Sequence, residues 1–157
     1  MTYGSGSGAA VIGIVNPMMG DDGIGPRLIA ELEGTVPGFD LVDIGTGGVQ
    51  LVHILARYDA VILIDAADMG LPPGECRTFS PDDIVSLKQT RAYSPHDWDL
   101  LRSVQLSRSL GEAPGRILVF AVQPSSVEMR EGVSPELERE VPRYVVELRR
   151  SIAALST

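Results

Sequence analysis

Five consecutive apolar residues, Ala60-Val61-Ile62-Leu63-Ile64, run without a break into an aspartate, Asp65. A strand that is apolar at every position is buried on both faces, and such strands occupy the middle of parallel sheets covered by helices. Ile117-Leu118-Val119-Phe120-Ala121-Val122 has the same character. Val11 to Val15 reads as a shorter buried strand, ended by Asn16-Pro17 and Gly20. A parallel sheet needs crossover connections, and helical periods stand where they are needed. From about Asp22 to Leu32, Ile24, Leu28, Ile29 and Leu32 recur at helical spacing. Pro26 is tolerated only in a first turn, so this helix starts close to it.

The rest of the chain follows the same alternation. Phe39 to Ile44 reads as a second strand, Gly45-Thr46-Gly47-Gly48 as a tight turn and Val49 to Leu55 as a short helix. Asp65 is expected to end the central strand. Glu75 to Phe79 reads as an edge strand, Pro81 to Leu87 as a short helix and Lys88 to Pro95 as irregular. Asp97 to Leu110 is expected to be helical and Gln123 to Ser134 to be a long loop. Pro135 to Leu155 closes the chain with an amphipathic helix whose stripe is Leu137, Val141, Tyr144, Val145, Leu148, Ile152 and Leu155. Strands alternating with helices predict an α/β fold: a single three-layer αβα domain with a mostly parallel twisted sheet, spanning residues 9–157.

Residues 1–8 form a Gly/Ser arm, with Gly4-Ser5-Gly6-Ser7-Gly8 as its flexible part. The arm precedes a strand instead of following one, so it is no dinucleotide fingerprint. Its centre is Gly6 where a nucleophile elbow needs serine.

Composition narrows the function. The chain has 157 residues, enough for one real core, and 44% of them are hydrophobic. Its formal net charge of −8 disfavours nucleic acid or an anionic membrane as partner. No apolar run approaches the roughly 18 residues of a membrane helix. Met1-Thr2-Tyr3-Gly4-Ser5 has neither the basic start nor the cleavage site of a signal peptide. The single cysteine, Cys76, suits a reducing cytoplasm, and a cytoplasmic location is expected.

In open α/β sheets the site lies at the carboxyl ends of the strands. Asn16 and Asp22 follow the first strand and Asp65 follows the third, so both acids are expected on one rim. His96, in Ser94-Pro95-His96-Asp97, lies in a loop that could reach it. Two hard oxygen ligands and one nitrogen ligand, with a fourth position open, describe a site that meets a substrate group or water. Each residue also has a plainer use. Asp22 could cap the helix that follows, and His96 could be an exposed loop residue. Asp65 is harder to explain away, since a carboxylate beside a buried strand is costly unless paired. Asp68 reads as a turn residue or a supporting acid, His53 as exposed on a helix and Cys76 as a small core residue. No serine–histidine or cysteine–histidine pair stands in a recognisable setting, and Asp21-Asp22-Gly23 falls short of an EF-hand loop.

These residues, taken in order, resemble the hydrogenase maturation endopeptidases. The family's opening pattern, Gly-x-Gly-Asn followed by Asp-Asp/Glu-x-x-Gly, is matched by Gly13-Ile14-Val15-Asn16 and Asp21-Asp22-Gly23-Ile24-Gly25, with Val15 in place of the usual glycine. Asp43-Ile44-Gly45-Thr46 matches an Asp-x-Gly-Thr turn, Asp65-Ala66-Ala67-Asp68 an Asp-Ala-x-Asp element and Ser94-Pro95-His96 a Ser/Thr-x-His element. Ala121-Val122-Gln123-Pro124 matches a late Gly/Ala-x-Gln-Pro element. Asp68 to Glu75 is especially similar to members serving formate-hydrogenlyase-type hydrogenases. The likeness covers about residues 11 to 150.

The resemblance implies a phosphorylase/hydrolase-like domain. It also implies a peptidase, aspartyl-type or metal-dependent, that removes the C-terminal extension of a [NiFe]-hydrogenase large-subunit precursor after nickel insertion. Cleavage would fall just after a basic residue in the precursor's last cysteine motif. Asp22, Asp65 and His96 are the positions that would contact nickel and carry catalysis. The nickel would be supplied by the substrate, with no organic cofactor, no nucleic acid and no membrane involved. One alternative is a non-catalytic metal or maturation-factor binding module on the same fold. Another is a flavodoxin-like cofactor binder using Gly45-Thr46-Gly47-Gly48 as a phosphate nest.

Overall fold

The computed structural model of the chain describes residues 8–14, 20–44, 49–83, 95–125 and 132–156. Strands β1 (Ala9–Ile14), β2 (Asp40–Ile44), β3 (Ala60–Ala66), β4 (Cys76–Phe79) and β5 (Arg116–Val122) form one sheet in the order β2-β1-β3-β5-β4. β1 pairs parallel with β2 and β3, β3 pairs parallel with β5, and β4 is an antiparallel edge on β5. Helices α1 (Ile24–Leu32), α2 (Val49–Leu55), α3 (Pro95–Ser109) and α4 (Pro135–Leu155) pack against it. The predicted α/β class and mostly parallel sheet are observed, with a helical layer on each face.

Every residue of β3 is buried, as its unbroken apolar run requires. Strand alternation divides the core in two. Val11, Ile62, Ile64, Phe120 and Val122 meet Ile24, Leu28 and Leu32 of α1 and Leu137, Val141, Tyr144 and Leu148 of α4. Ile12, Ile44, Val61, Leu63 and Val119 face the other way, onto Leu51, Ile54 and Leu55 of α2 and Leu100 and Val104 of α3. The amino edge of the sheet is laced together: Asp59 N and Ala60 N both donate to the Gly8 carbonyl, and Arg116 N donates to that of Asp59. Arg116 also donates through Nη1 and Nη2 to the carbonyls of Leu155 and Ala154. Those are the last carbonyls of α4, which have no partner within the helix. The C-terminus of α4 is thereby placed at the amino edge and its N-terminus at the carboxyl rim.

Two local expectations are corrected. β3 does not stop before Asp65: Asp65 pairs with Ala121 and Ala66 with Val122, because β5 extends far enough to supply the partners. The helix after β1 starts close to Pro26, as expected, with Asp21 and Asp22 just before it. Gly20–Gly23 is a 3-10 turn, and Gly23 is the N-cap of α1, with no side-chain capping bond. His96 is not in a loop but in the first turn of α3. The helix expected over Pro81 to Leu87 is observed over residues 81–83, and the rest of it lies outside the described residues. So do the Gly/Ser arm over residues 1–7, Val15, Asn16, the 45–48 turn and the irregular stretch before Pro95. Among the described residues no helix is long and apolar enough to cross a membrane.

Candidate active site

The strand order creates one special place. The chain leaves β1 through α1 to β2 on one side, and returns through α2 to β3 on the other side. α1 and α2 lie on opposite faces. From β1 the chain goes on to β2 on one side of the sheet and from β3 to β4 on the other, so the two exits diverge at the carboxyl rim, which opens the crevice where open α/β sheets bind ligands. The turn bearing Asp22 follows β1, and Asp65 is the penultimate residue of β3.

Asp65 is 5% exposed, and by alternation it shares the face of Val61 and Leu63, the face that α2 and α3 cover. The first turn of α3 comes to the same rim. α3 ends at Ser109, and a short connection leads into β5 at its amino end. Fifteen helical residues span about 22 Å, about the length of β5, so α3 begins at the carboxyl side. The structure thus brings to one rim the backbone positions of Asp22 and His96 and the buried carboxylate of Asp65. The side chains of Asp22 and His96 lie outside what is described. Among the described residues no group of three or more His, Cys, Asp or Glu side chains is placed to hold a metal ion.

Two residues that the sequence did not single out for the site support this rim. Asp21 is completely buried. Its Oδ1 accepts from Ser134 N at 2.5 Å, and its Oδ2 accepts from Ser125 N at 2.7 Å and Ser134 Oγ at 3.0 Å. The acid beside Asp22 therefore ties the 20–23 turn to both ends of the β5–α4 connection. Burial without partners would cost several kcal/mol, and these donors are what make it tolerable. Gln123, one residue past β5, is also buried and binds the segment that leaves β3. A doublet of aspartates before a helix hints at one working acid. It does not say which of the two is anchored.

The remaining candidates fall to plainer roles. Asp68 is exposed and accepts from Gly70 N at 3.1 Å, the contact of a turn residue. His53 is exposed on α2. Cys76 is buried in β4, and burial pushes its thiol up, which disfavours a thiolate nucleophile. Tyr144 is buried in α4 with its hydroxyl held by the Gly74 carbonyl at 2.6 Å. Partial desolvation also raises the carboxyl of Asp43, an exposed residue on β2 beside Gly13.

The chain matches known proteins along most of its length. The family described as hydrogenase maturation protease matches over residues 26–151, a span that contains Asp65 and His96. The hydrogenase expression/formation protein HupD of Thiocapsa roseopersicina is 28% identical over 140 residues, covering 82% of this chain. The chain spans 63% of that relative's length. The hydrogenase 2 maturation protease of Escherichia coli (strain K12) is 30% identical over 132 residues, covering 82% of this chain and 80% of that protein. Among solved structures, the hydrogenase maturating endopeptidase HybD from E. coli superposes with a TM-score of 0.82 at 26% identity, over 93% of this chain and 92% of that one.

Proposed function

The chain belongs to the hydrogenase maturation protease family, and from that premise we propose that it is an endopeptidase that removes the C-terminal extension of a [NiFe]-hydrogenase large-subunit precursor once nickel has been inserted. The nickel is part of the substrate. Asp22, Asp65 and His96 are assigned the task of engaging it, the two carboxylates as hard oxygen donors and the imidazole as a nitrogen donor.

One observation carries this reading. A buried carboxylate, Asp65, stands in the last two residues of a central strand at the crevice where the β1 and β3 connections part, and the turn of Asp22 follows the neighbouring strand. A catalytic group there is held by strand pairing instead of by a loose loop, so its position is preorganised. Selectivity follows from charge. An empty precursor offers no cation to offset two acids at one rim, and like charges resist joint ionisation. A loaded precursor supplies that cation, which polarises the scissile carbonyl or the attacking water.

The test is the intact mass of the precursor after incubation with this protein, with and without nickel. Loss of the C-terminal peptide from the loaded form alone supports the whole reading. Loss from both forms keeps the peptidase and discards nickel recognition. Retention in both, with the cognate precursor, discards the peptidase in favour of a binding module.

A further inference from the structure

Gln123 uses all its polar groups on the segment that connects β3 to β4. Its backbone N donates to the Glu75 carbonyl at 2.7 Å, and its own carbonyl accepts from Gly74 N at 2.9 Å. Oε1 accepts from Met69 N at 2.7 Å and Leu71 N at 3.2 Å. Nε2 donates to Asp68 Oδ1 at 3.3 Å, the oxygen that also takes Gly70 N. One side chain, 7% exposed, therefore holds residues 68 to 71 where the chain leaves Asp65.

The chemistry admits an amide and little else. Oε1 faces two N–H donors while Nε2 faces a carboxylate, so the group must accept on one side and donate on the other. An apolar residue would strand the N–H of Met69, a buried residue, without a partner. A glutamate would set a second carboxylate against Asp68. The clamp also lies at the end of the ladder that holds the candidate acid. Asp65 pairs with Ala121, Ala66 with Val122, and Ala67 N donates to the Val122 carbonyl. Gln123 directly follows the last residue of β5, and without it the last rungs of β3 are free to fray.

We propose that Gln123 is a positioning residue for the hydrolysis: by clamping Asp68, Met69 and Leu71 it fixes the exit of β3 and with it the orientation of the Asp65 carboxylate. The inference rests on the peptidase reading above. Because small misplacements of a catalytic group are costly, its loss shows in turnover before it shows in substrate binding.

The experiment compares wild type, Gln123→Glu and the double variant Gln123→Glu/Asp68→Asn. The readouts are kcat and KM on the nickel-loaded precursor, and amide hydrogen exchange at Met69 and Leu71 in the free protein. Gln123→Glu is expected to lower kcat about tenfold or more with KM little changed, and to speed exchange at both amides. Adding Asp68→Asn places a donor opposite the introduced acceptor, and kcat should return to within about threefold of wild type. Wild-type turnover by Gln123→Glu, or no recovery in the double variant, overturns the positioning role while leaving the peptidase standing. A wild type that does not cleave overturns the peptidase reading and this inference with it. Should Gln123→Glu fail to fold, Gln123→Asn serves instead. It keeps the amide but is one methylene too short to span Met69 and Asp68, and the same loss of kcat is expected. Wild-type turnover by that variant overturns the proposal.

Discussion

Gly13 and Gly25 touch backbone to backbone: a Cβ on Gly13 would lie 2.8 Å from the carbonyl carbon of Gly25 and 2.9 Å from its oxygen. A Cβ on Gly25 would in turn lie 3.3 Å from the Ile64 carbonyl oxygen. This contact draws the first turn of α1 down onto β1 and β3. It sets how near the turn carrying Asp22 comes to the strand end carrying Asp65.

Gly13→Ala should therefore destabilise the fold by about 1–3 kcal/mol, the usual cost of forcing extra volume into a packed site. The obstacle is backbone, so no side chain can swing aside. Gly25→Ala, whose added atom meets nothing closer than 3.1 Å, should cost less. Urea unfolding of both variants checks the size and the order of the two effects.

Asp21→Asn replaces one accepting oxygen of a fully buried carboxylate with a donor. The donors that face that carboxylate include Ser125 N, Ser134 N and Ser134 Oγ. At least one must lose its partner, at about 1–3 kcal/mol for each buried group left unsatisfied. The expected outcome is a lower unfolding midpoint together with faster amide exchange at Ser125 and Ser134. An unchanged midpoint would show that the connection is held without Asp21.

Asp43 is exposed, but partial desolvation on the sheet raises its carboxyl, so the folded state holds that proton more tightly than the unfolded chain does. Stability attached to this group is present at low pH and is lost as pH rises through the raised folded-state value. Asp43→Asn removes the penalty. It should stabilise the protein at pH 7 and be close to neutral at pH 3. Thermal unfolding at the two pH values gives the sign directly, and a destabilised variant at pH 7 would contradict it.

Under the proposed function, Asp22→Asn, Asp65→Asn and His96→Ala should each reduce precursor processing by about a hundredfold or more, the scale on which positioned acid–base groups contribute. Each should retain a cooperative unfolding transition. Cleavage by all three at the wild-type rate would discard the site assignment.

Much of the fold was legible because it rests on local periodicity. The apolar run of β3 announced a strand buried on both faces, and the stripes of α2 and α4 gave Val49–Leu55 and Pro135–Leu155 as observed. Pro26 marked the start of α1 to within two residues, but the cap is Gly23 and not the aspartate before it. The polar, irregular run up to Pro95 points to a loop at His96. In the structure Pro95 opens α3, where a missing N–H costs nothing.

The sequence by itself determined the element types, the mostly parallel sheet and the placing of Asp22 and Asp65 at the carboxyl ends of the first and third strands, since each depends on residues a few positions apart. Only the tertiary structure decided the strand order, the contact of Gly13 with Gly25, and the division of labour between Asp21 and its neighbour. Asp21 meets partners 104 and 113 residues away, and Gln123 meets Met69 54 residues away. Hydrogen bonds of that separation leave no periodic trace in a chain, because their geometry exists only after the sheet has brought the two stretches together.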